Sequence, residues 1–423
     1  MRNLTLDGVA ISVATEVKYL GLTLDSKLLW RAHVDAVTSK ATRAMMVCKS
    51  LAGKSWGCTP RILRWMYTMI VKPIVTYGAV AWYSRATIGT VRQTLSKIQR
   101  LACVCITGAM RTCPTAALEV ILELEPLHLS IEQAAKRTLL NFAREGFGKG
   151  KVLSSRNRDK LGTQPPPTLK LSVSLGTFHS IFQAEVYAIS MCPEINIRRN
   201  YRKERILILS DSQAAVRALS SFEIKSSLVR ECVERLNALA EVNDFQLMWV
   251  PGHMGVAGNE EADHLPRTAA SSTPIGPDPF LAVGPNTIKE MLRRDNSKLR
   301  ELHWLGTMGQ RQAKSLLGGY NLSRYRLLMD LPKEKLRIIT GFLTGHCKLR
   351  GHLHKLGIWS SDLCRFCDAA KETPLHLLME CDAVARRRYR SIGHVWPREE
   401  HIHSLSPGSI MKFIDTLGLV DVL

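Results

Sequence analysis

The stretch from Trp249 to Leu265 (WVPGHMGVAGNEEADHL) constrains the fold of this chain more than any other. The apolar run over 245–250 predicts a buried strand that enters a Pro-Gly turn. A glycine-rich loop carrying His253 follows, and then a helix whose first turns hold Glu260, Glu261 and Asp263. A strand end that brings a histidine and a carboxylate into one small volume suits metal-assisted hydrolysis. The same strand-loop-helix step is also common in proteins that catalyse nothing, so other segments must decide between the two.

Two upstream segments have the same character: QAEVYAI around Glu185 and ILILSDSQAAVRAL around Asp211. The expected order is a strand over 169–175, a helix over 181–191, a strand over 205–209, helices over 212–219 and 227–241, a strand over 245–250 and the helix holding Asp263. Strands separated by helices imply parallel pairing, with ligands gathering at the carboxyl ends of the strands. Asp211 and His253 both fall at such ends.

Together these three segments resemble the ribonuclease H domain of non-LTR (LINE-type) retrotransposon polyproteins. The resemblance implies four carboxylates that hold two divalent cations, Mg2+ or Mn2+, roughly 4 Å apart for cleavage of the RNA strand of an RNA-DNA hybrid. Three of the four have counterparts here: Glu185 on a helix, Asp211 at a strand end and Asp263 at a helix start. His253 matches the loop histidine that assists near the scissile phosphate. The first catalytic aspartate of the family belongs to a Thr-Asp-Gly-Ser strand, expected between Pro167 and Lys170. That strand is absent, and no acidic residue lies between Lys160 and Glu185. Pro266, three residues after Asp263, is a second departure, since proline inside a helix removes a hydrogen bond.

The flanks read differently. Residues 1–28 alternate in short apolar groups, with Asp7-Gly8 as a hairpin signal. VKYLGLTLDSKLLWRAH resembles the segment after the palm of retrotransposon reverse transcriptases. From Trp30 to about Glu145 the pattern is helical: one helix is expected to stop at Gly53, a second to open at Thr59-Pro60, a third to be capped by Thr87 or Thr90, and a fourth to start at Cys113-Pro114. Trp65, Met66, Met69 and Trp82 read as core. The paired aspartates of a polymerase palm are expected upstream of Met1. No Asp-Asp dipeptide occurs in the chain, so no polymerase site is expected in it.

DLCRFCDAAKETPLHLLMECDAV places Cys364, Cys367, His376 and Cys381 in the spacing C-x2-C-x8-H-x4-C. Three thiolates and an imidazole can close a tetrahedral shell around a structural Zn2+ with no open position. The cluster also resembles the C-terminal knuckle of the same polyproteins. Cys347 and His346 read as core or supporting residues, and His352 and His354 as surface or core.

The expected fold class is α/β in the middle, a ribonuclease H-like truncated mixed sheet, flanked by all-α regions in a multi-domain chain. The expected divisions are 1–150, thumb-like and helical; 151–168, a linker; 169–270, the ribonuclease H-like domain without its first two strands; and 271–286, a second linker. After these come 287–355, basic and helical; 356–390, the zinc knuckle; and 391–423, a tail. Residues 287–355 hold 15 Lys and Arg against 5 Asp and Glu, a surplus of ten. With a formal charge of +21 over 423 residues, this favours a nucleic-acid partner, whether RNA-DNA hybrid, RNA or single-stranded DNA. A solvated basic surface is the alternative. Eleven scattered cysteines without a leading signal peptide predict reduced thiols in the cytoplasm or nucleus and no secretion. No apolar run reaches the length of a membrane span. Three readings stay open: a ribonuclease H-type enzyme with an impaired site, a non-catalytic nucleic-acid-binding remnant, and a fragment whose middle has no stable fold.

Overall fold

A computed structural model describes residues 5–6, 9–10, 14–53, 57–144, 175, 179–224, 226–251 and 283–423. The expected linker over 151–168, the linker over 271–286 apart from 283–286, the strand over 169–175 apart from Leu175, and the helix with Asp263 and Pro266 lie outside the described residues; the last two positions of the second linker, Pro285 and Asn286, already belong to helix Pro285–Gly306. The chain divides into two compact units, one made of Met1–Val152 and Asp295–Leu423, the other of Leu153–Arg294.

The first unit opens with two short antiparallel pairs, Thr5–Leu6 with Val9–Ala10 and Glu16–Tyr19 with Leu22–Asp25. In the second pair Tyr19 faces Leu22 across Leu20 and Gly21, whose φ values of 45° and 80° both lie in the left-handed region. That backbone suits the right-handed twist of a tight hairpin. The Asp25 carboxylate then accepts hydrogen bonds from the backbone N–H groups of Lys27, Leu29 and Trp30. These bonds, led by that of Leu29, hold its pKa below the ordinary aspartate value.

Helix Arg31–Ser50 buries Val34, Val37, Ala41, Met45 and Cys48, one stripe at three- and four-residue spacing. Helix Pro60–Met66 starts at Thr59, whose hydroxyl accepts from Ile62 N at 3.4 Å, with Pro60 in the first turn. From there the inward positions are Leu63, Tyr67, Val71 and Val75. Trp82 is buried as expected, but Trp65 and Met69 are 58% and 60% exposed. The four-residue stripe takes the inward face, so these two point the other way.

The sequence reading separates 1–150 from 287–355, 356–390 and 391–423. In the structure, residues from all four stretches share one core, which runs from Val34 through Trp304, Leu336, Phe342, Cys364 and Cys381 to Phe413 and Leu423. The physical reason lies in helix Lys333–Thr344. Its basic first turn is followed by Ile338 to Thr344, all buried, so it is a central core helix and not the basic-faced surface helix that its Lys and Arg content suggests. Polar links cross the same junction. Arg300 pairs with Glu123 at 2.9 Å, Lys333 donates to the carbonyl of Gly53 at 2.9 Å, and Tyr320 Oη donates to that of Leu124.

This core also buries a carboxyl group. Glu119 accepts a hydrogen bond from Gln99 Nε2 at 3.0 Å, and Gln99 in turn accepts from the Tyr67 hydroxyl. Burial raises the Glu119 pKa from 4.5 to about 8, opposed by the bond from Gln99. The folded state therefore holds the proton more tightly than the unfolded state. The stability this contributes is present in full below the unfolded value and is lost as pH rises through about 8. In urea titrations between pH 5 and 8, the parent is expected to lose roughly 1.4 kcal/mol per pH unit relative to Glu119→Gln. Parallel pH profiles for the two proteins would place the proton elsewhere.

The second unit is built on strands Arg205–Ser210 and Asp244–Trp249, paired parallel in the register Arg205 to Asp244 through Ser210 to Trp249. Among the described residues this sheet has two strands. The parallel pairing agrees with the alternation read from the sequence. Helices Ile181–Arg198, Gln213–Leu219 and Ser227–Ala240 supply Val186, Ile189, Ala215, Val229, Cys232, Leu236 and Leu239 to a core shared with Ile208. The first of these helices passes through Pro193 and outlasts the expected end at Met191. Burial of Pro193 and the 2.6 Å pair between Arg235 and Glu194 fasten its second half to helix Ser227–Ala240. The opposite face of the sheet exposes Leu207, Leu209 and Met248.

Candidate functional site

Glu185 sits in the second turn of helix Ile181–Arg198. A capping box sets that helix start, with Ser180 N donating to Gln183 Oε1 at 3.0 Å and Gln183 N to Ser180 Oγ at 3.3 Å. The residue lies half-buried between inward Gln183 and Val186. Asp211 follows strand Arg205–Ser210 directly and precedes the Ser212 cap of helix Gln213–Leu219. Trp249 Nε1 donates to the Asp211 carbonyl at 3.0 Å, and Val250 N donates to that of Ser210 at 3.0 Å. These bonds hold Asp211, also half-buried, at the joint carboxyl end of the two strands.

His253 and Asp263 lie outside the described residues. Among the described residues, no cluster of three or more potential metal ligands includes Glu185 or Asp211. Two carboxylates fall short of what a pair of divalent cations needs.

The cysteine-histidine group is assembled. One ligand atom from each of Cys364, Cys367, His376 and Cys381 lies within 4.8 Å of every other. Cys364 Sγ is 4.0 Å from Cys381 Sγ, and Cys367 Sγ is 3.3 Å from His376 Nε2. Zinc-sulfur bonds of about 2.3 Å in a tetrahedron separate neighbouring sulfurs by about 3.8 Å, so these spacings fit a zinc ion. The knuckle is shaped by backbone bonds, Cys364 N to Ala370 O at 2.8 Å and Asp368 N to Cys364 O at 2.9 Å, with Asp368 in the left-handed region. His376 opens a π-helical turn, His376–Glu380, that ends at Cys381. Its Nδ1 lies 3.5 Å from Glu380 Oε2, leaving Nε2 toward the thiols.

The charge environment divides the thiols. Burial pushes Cys364 up and Cys381 up to about 12. The backbone N–H of Ala369, then His376, draw Cys367 down to about 6. Three thiols this close cannot all ionise without a cation among them, and a bound Zn2+ supplies that charge and a closed shell without an open position.

Spacing alone did not mark two supporting residues. Glu372 is fully buried and accepts from the backbone N–H groups of Arg350 and Arg365 and twice from the Arg365 guanidinium, at 2.8–3.0 Å. Arg388 is also fully buried; its Nη2 donates to the Cys381 carbonyl, while Nε and Nη1 have no hydrogen-bond partner among the described residues. Cys347, buried and pushed up to about 12, and His346, drawn down to about 4 by burial, stand outside the cluster.

Residues 166–271, about a quarter of the chain, match the family model for RNase H. The chain is also similar to polyproteins of R1 retrotransposable elements. It is 28% identical over 118 residues to a 115 kDa protein of the type-1 element R1DM of Drosophila melanogaster, covering 28% of this chain and 12% of that protein. It is 27% identical over 142 residues to the Pol polyprotein of an R1 element of Bradysia coprophila, covering 34% and 14%. A third relative, the R1 3 Pol polyprotein of Nasonia vitripennis, is 29% identical over 126 residues, covering 27% and 32%. The matched stretches thus span between about an eighth and a third of those relatives. No solved structure matches the chain.

Proposed function

We propose that this chain is a nucleic-acid-binding part of an R1-type retrotransposon polyprotein, organised around a ribonuclease H domain and a structural zinc centre. The observation that carries the proposal is the RNase H match over 166–271, which falls on the segment where Asp211 closes a parallel strand and Glu185 stands on a helix packed against the same sheet. The reaction class it brings is hydrolysis of the RNA strand of an RNA-DNA hybrid. Glu185, Asp211 and Asp263 are the proposed carboxylates and His253 the proposed assisting residue, with Mg2+ or Mn2+ as the ions they would hold. Residues 1–150 are assigned to a reverse-transcriptase thumb-like region. Cys364, Cys367, His376 and Cys381 are the proposed zinc ligands.

A second reading, binding without catalysis, is favoured by one specific observation: the stretch between Lys160 and Glu185 contains no carboxylate to stand for the family's first aspartate. Both readings share the same partner and differ only in turnover. An intracellular setting accords with eleven unpaired cysteines. Among the described residues no helix is long and apolar enough to cross a membrane.

The shared claim is tested by binding. With a formal charge of +21, affinity for a labelled RNA-DNA hybrid or single strand should fall steeply and linearly in a log-log plot against salt, by about 0.7–0.9 per phosphate neutralised, and vary little with base sequence. Fluorescence anisotropy at several salt concentrations measures this. Binding that ignores salt, or no binding, removes the proposal.

A further inference from the structure

Part of the basic surplus in 287–355 is engaged within the fold. Arg324 is buried and donates to the carbonyls of Leu317 and Gly319, Arg300 pairs with Glu123, and Lys333 donates to the carbonyl of Gly53. The densest run of exposed arginines lies elsewhere, on helix Ala385–Ile392 (ARRRYRSI), which carries four arginines, three of them exposed, and no acid. Arg386, Arg387 and Arg390 are exposed, and none forms an ion pair among the described residues. Tyr389, on the same face, is 59% exposed, and Trp396, just past the helix, is 54% exposed. Exposed rings interleaved with uncompensated guanidinium groups form the surface on which unpaired bases stack while their phosphates are neutralised.

We infer that helix Ala385–Ile392 and Trp396 form a platform for single-stranded nucleic acid, held in position by the cysteine-histidine centre. The inference rests on the nucleic-acid reading above and names the surface for it. Two contacts fasten the helix to that centre: Arg387 lies over the Phe366 ring, 5.7 Å from its centroid, and Arg388 donates to the Cys381 carbonyl. Arg388 also lies 5.0 Å from the centroid of Trp396, so one buried side chain joins the centre to an exposed ring of the platform. From the far side, Ser391 Oγ meets Thr416 Oγ1 at 3.0 Å. Arg386, Tyr389 and Arg390 remain on the outer face. A single strand is favoured over a duplex because both rings are open to solvent, and a duplex keeps its base faces covered.

The test uses the full chain and a fluorescein-labelled 12-nucleotide oligo(U), with a 12-base-pair RNA-DNA hybrid and a labelled poly-glutamate peptide as comparison probes. Arg386→Ala with Arg390→Ala is expected to weaken oligo(U) binding about tenfold or more and to flatten the salt slope by about 1.4, two phosphates at roughly 0.7 each. Tyr389→Ala is expected to weaken it about fivefold or more while Tyr389→Phe binds like the parent, because the ring face and not the hydroxyl does the stacking. These side chains are exposed, so zinc content and unfolding midpoint should not move. Removing zinc with a chelator should weaken oligo(U) binding at least as much as the arginine pair does. If the parent binds oligo(U) with steep salt dependence and all these variants bind equally well, the platform is wrong and the broader function stands. If the parent binds no nucleic acid, both fail. Equal affinity for poly-glutamate through the same residues makes the partner an acidic protein and overturns the inference, as does Tyr389→Ala binding unchanged.

Discussion

Incubated with an RNA-DNA hybrid and Mg2+ or Mn2+, the chain is expected to leave the RNA strand uncut, at the level of a control carrying Asp211→Asn and Asp263→Asn. The reason is a count of donors. The ribonuclease H resemblance needs four carboxylates, and the one that touches both cations is the one with no counterpart between Lys160 and Glu185. Without it there is too little negative charge, and no shared ligand, to fix two cations against each other's repulsion. Inserting a Thr-Asp-Gly-Ser strand with its hairpin partner between Pro167 and Lys170 should raise cleavage from background, and that activity should still require Glu185, Asp211 and Asp263. The insertion also addresses the sheet. Strand Arg205–Ser210 has a single partner among the described residues, and Leu207 and Leu209 face solvent at 55% and 41% exposure. An added strand and its connection should cover them and raise the unfolding midpoint as well. Robust hybrid cleavage by the unmodified chain, abolished by Asp211→Asn, would mean that Asp159 or a carboxylate from a second copy completes the site.

Where a local signal sufficed, sequence and structure coincide. The strand expected over 205–209 is found at Arg205–Ser210, and the helix expected from Ser227 starts there. Thr59-Pro60 opens its helix because a hydroxyl cap and a proline first turn act within four residues. The cysteine-histidine spacing was legible for a related reason, since a tight knuckle and one helical turn fix the four donors almost regardless of the rest of the chain. Other boundaries moved because distant contacts decided them. No side chain caps helix Gly89–Thr107, although Thr87 and Thr90 were available, and helix Ile181–Arg198 survives a proline through its pairing with Arg235.

The pairing of the chain's two ends was not legible at all. Hydrophobic period shows which face of a helix is buried and says nothing about what covers it. Tyr320 reaching the carbonyl of Leu124, and Arg300 reaching the Glu123 carboxylate, are contacts between residues that carry no mark of each other. The same limit misled the reading of charge. Lys and Arg in 287–355 count toward a basic surface in the sequence, yet Arg324 spends its donors on carbonyls inside the fold.

That shared core makes zinc removal the most disruptive single change expected of this protein. Purified chain should carry about one zinc, and Cys364→Ser or Cys381→Ser should abolish it. For a knuckle hung on the end of a chain, the loss would be confined to the last 70 or so residues. Here Cys364 and Cys381 are themselves fully buried members of the cluster that includes Met45, Ile106, Trp304 and Phe342. Without the ion, three crowded thiols and an imidazole lose their common partner, and the buried Arg388 beside Cys381 loses the negative field that helps to compensate it. Structural zinc in small domains contributes on the order of 10 kcal/mol to folding, comparable to the whole stability of an ordinary domain. The variants should therefore lose protease resistance both after Trp30 and after Asp295, although those segments lie far apart in sequence. Hydrogen exchange should meanwhile keep the parallel pair Arg205–Ser210 and Asp244–Trp249 protected, because its core is separate. Unchanged zinc content and protease resistance in both variants would sink the zinc reading. Damage limited to residues beyond Ser361 would keep the zinc and refute its coupling to the amino-terminal helices.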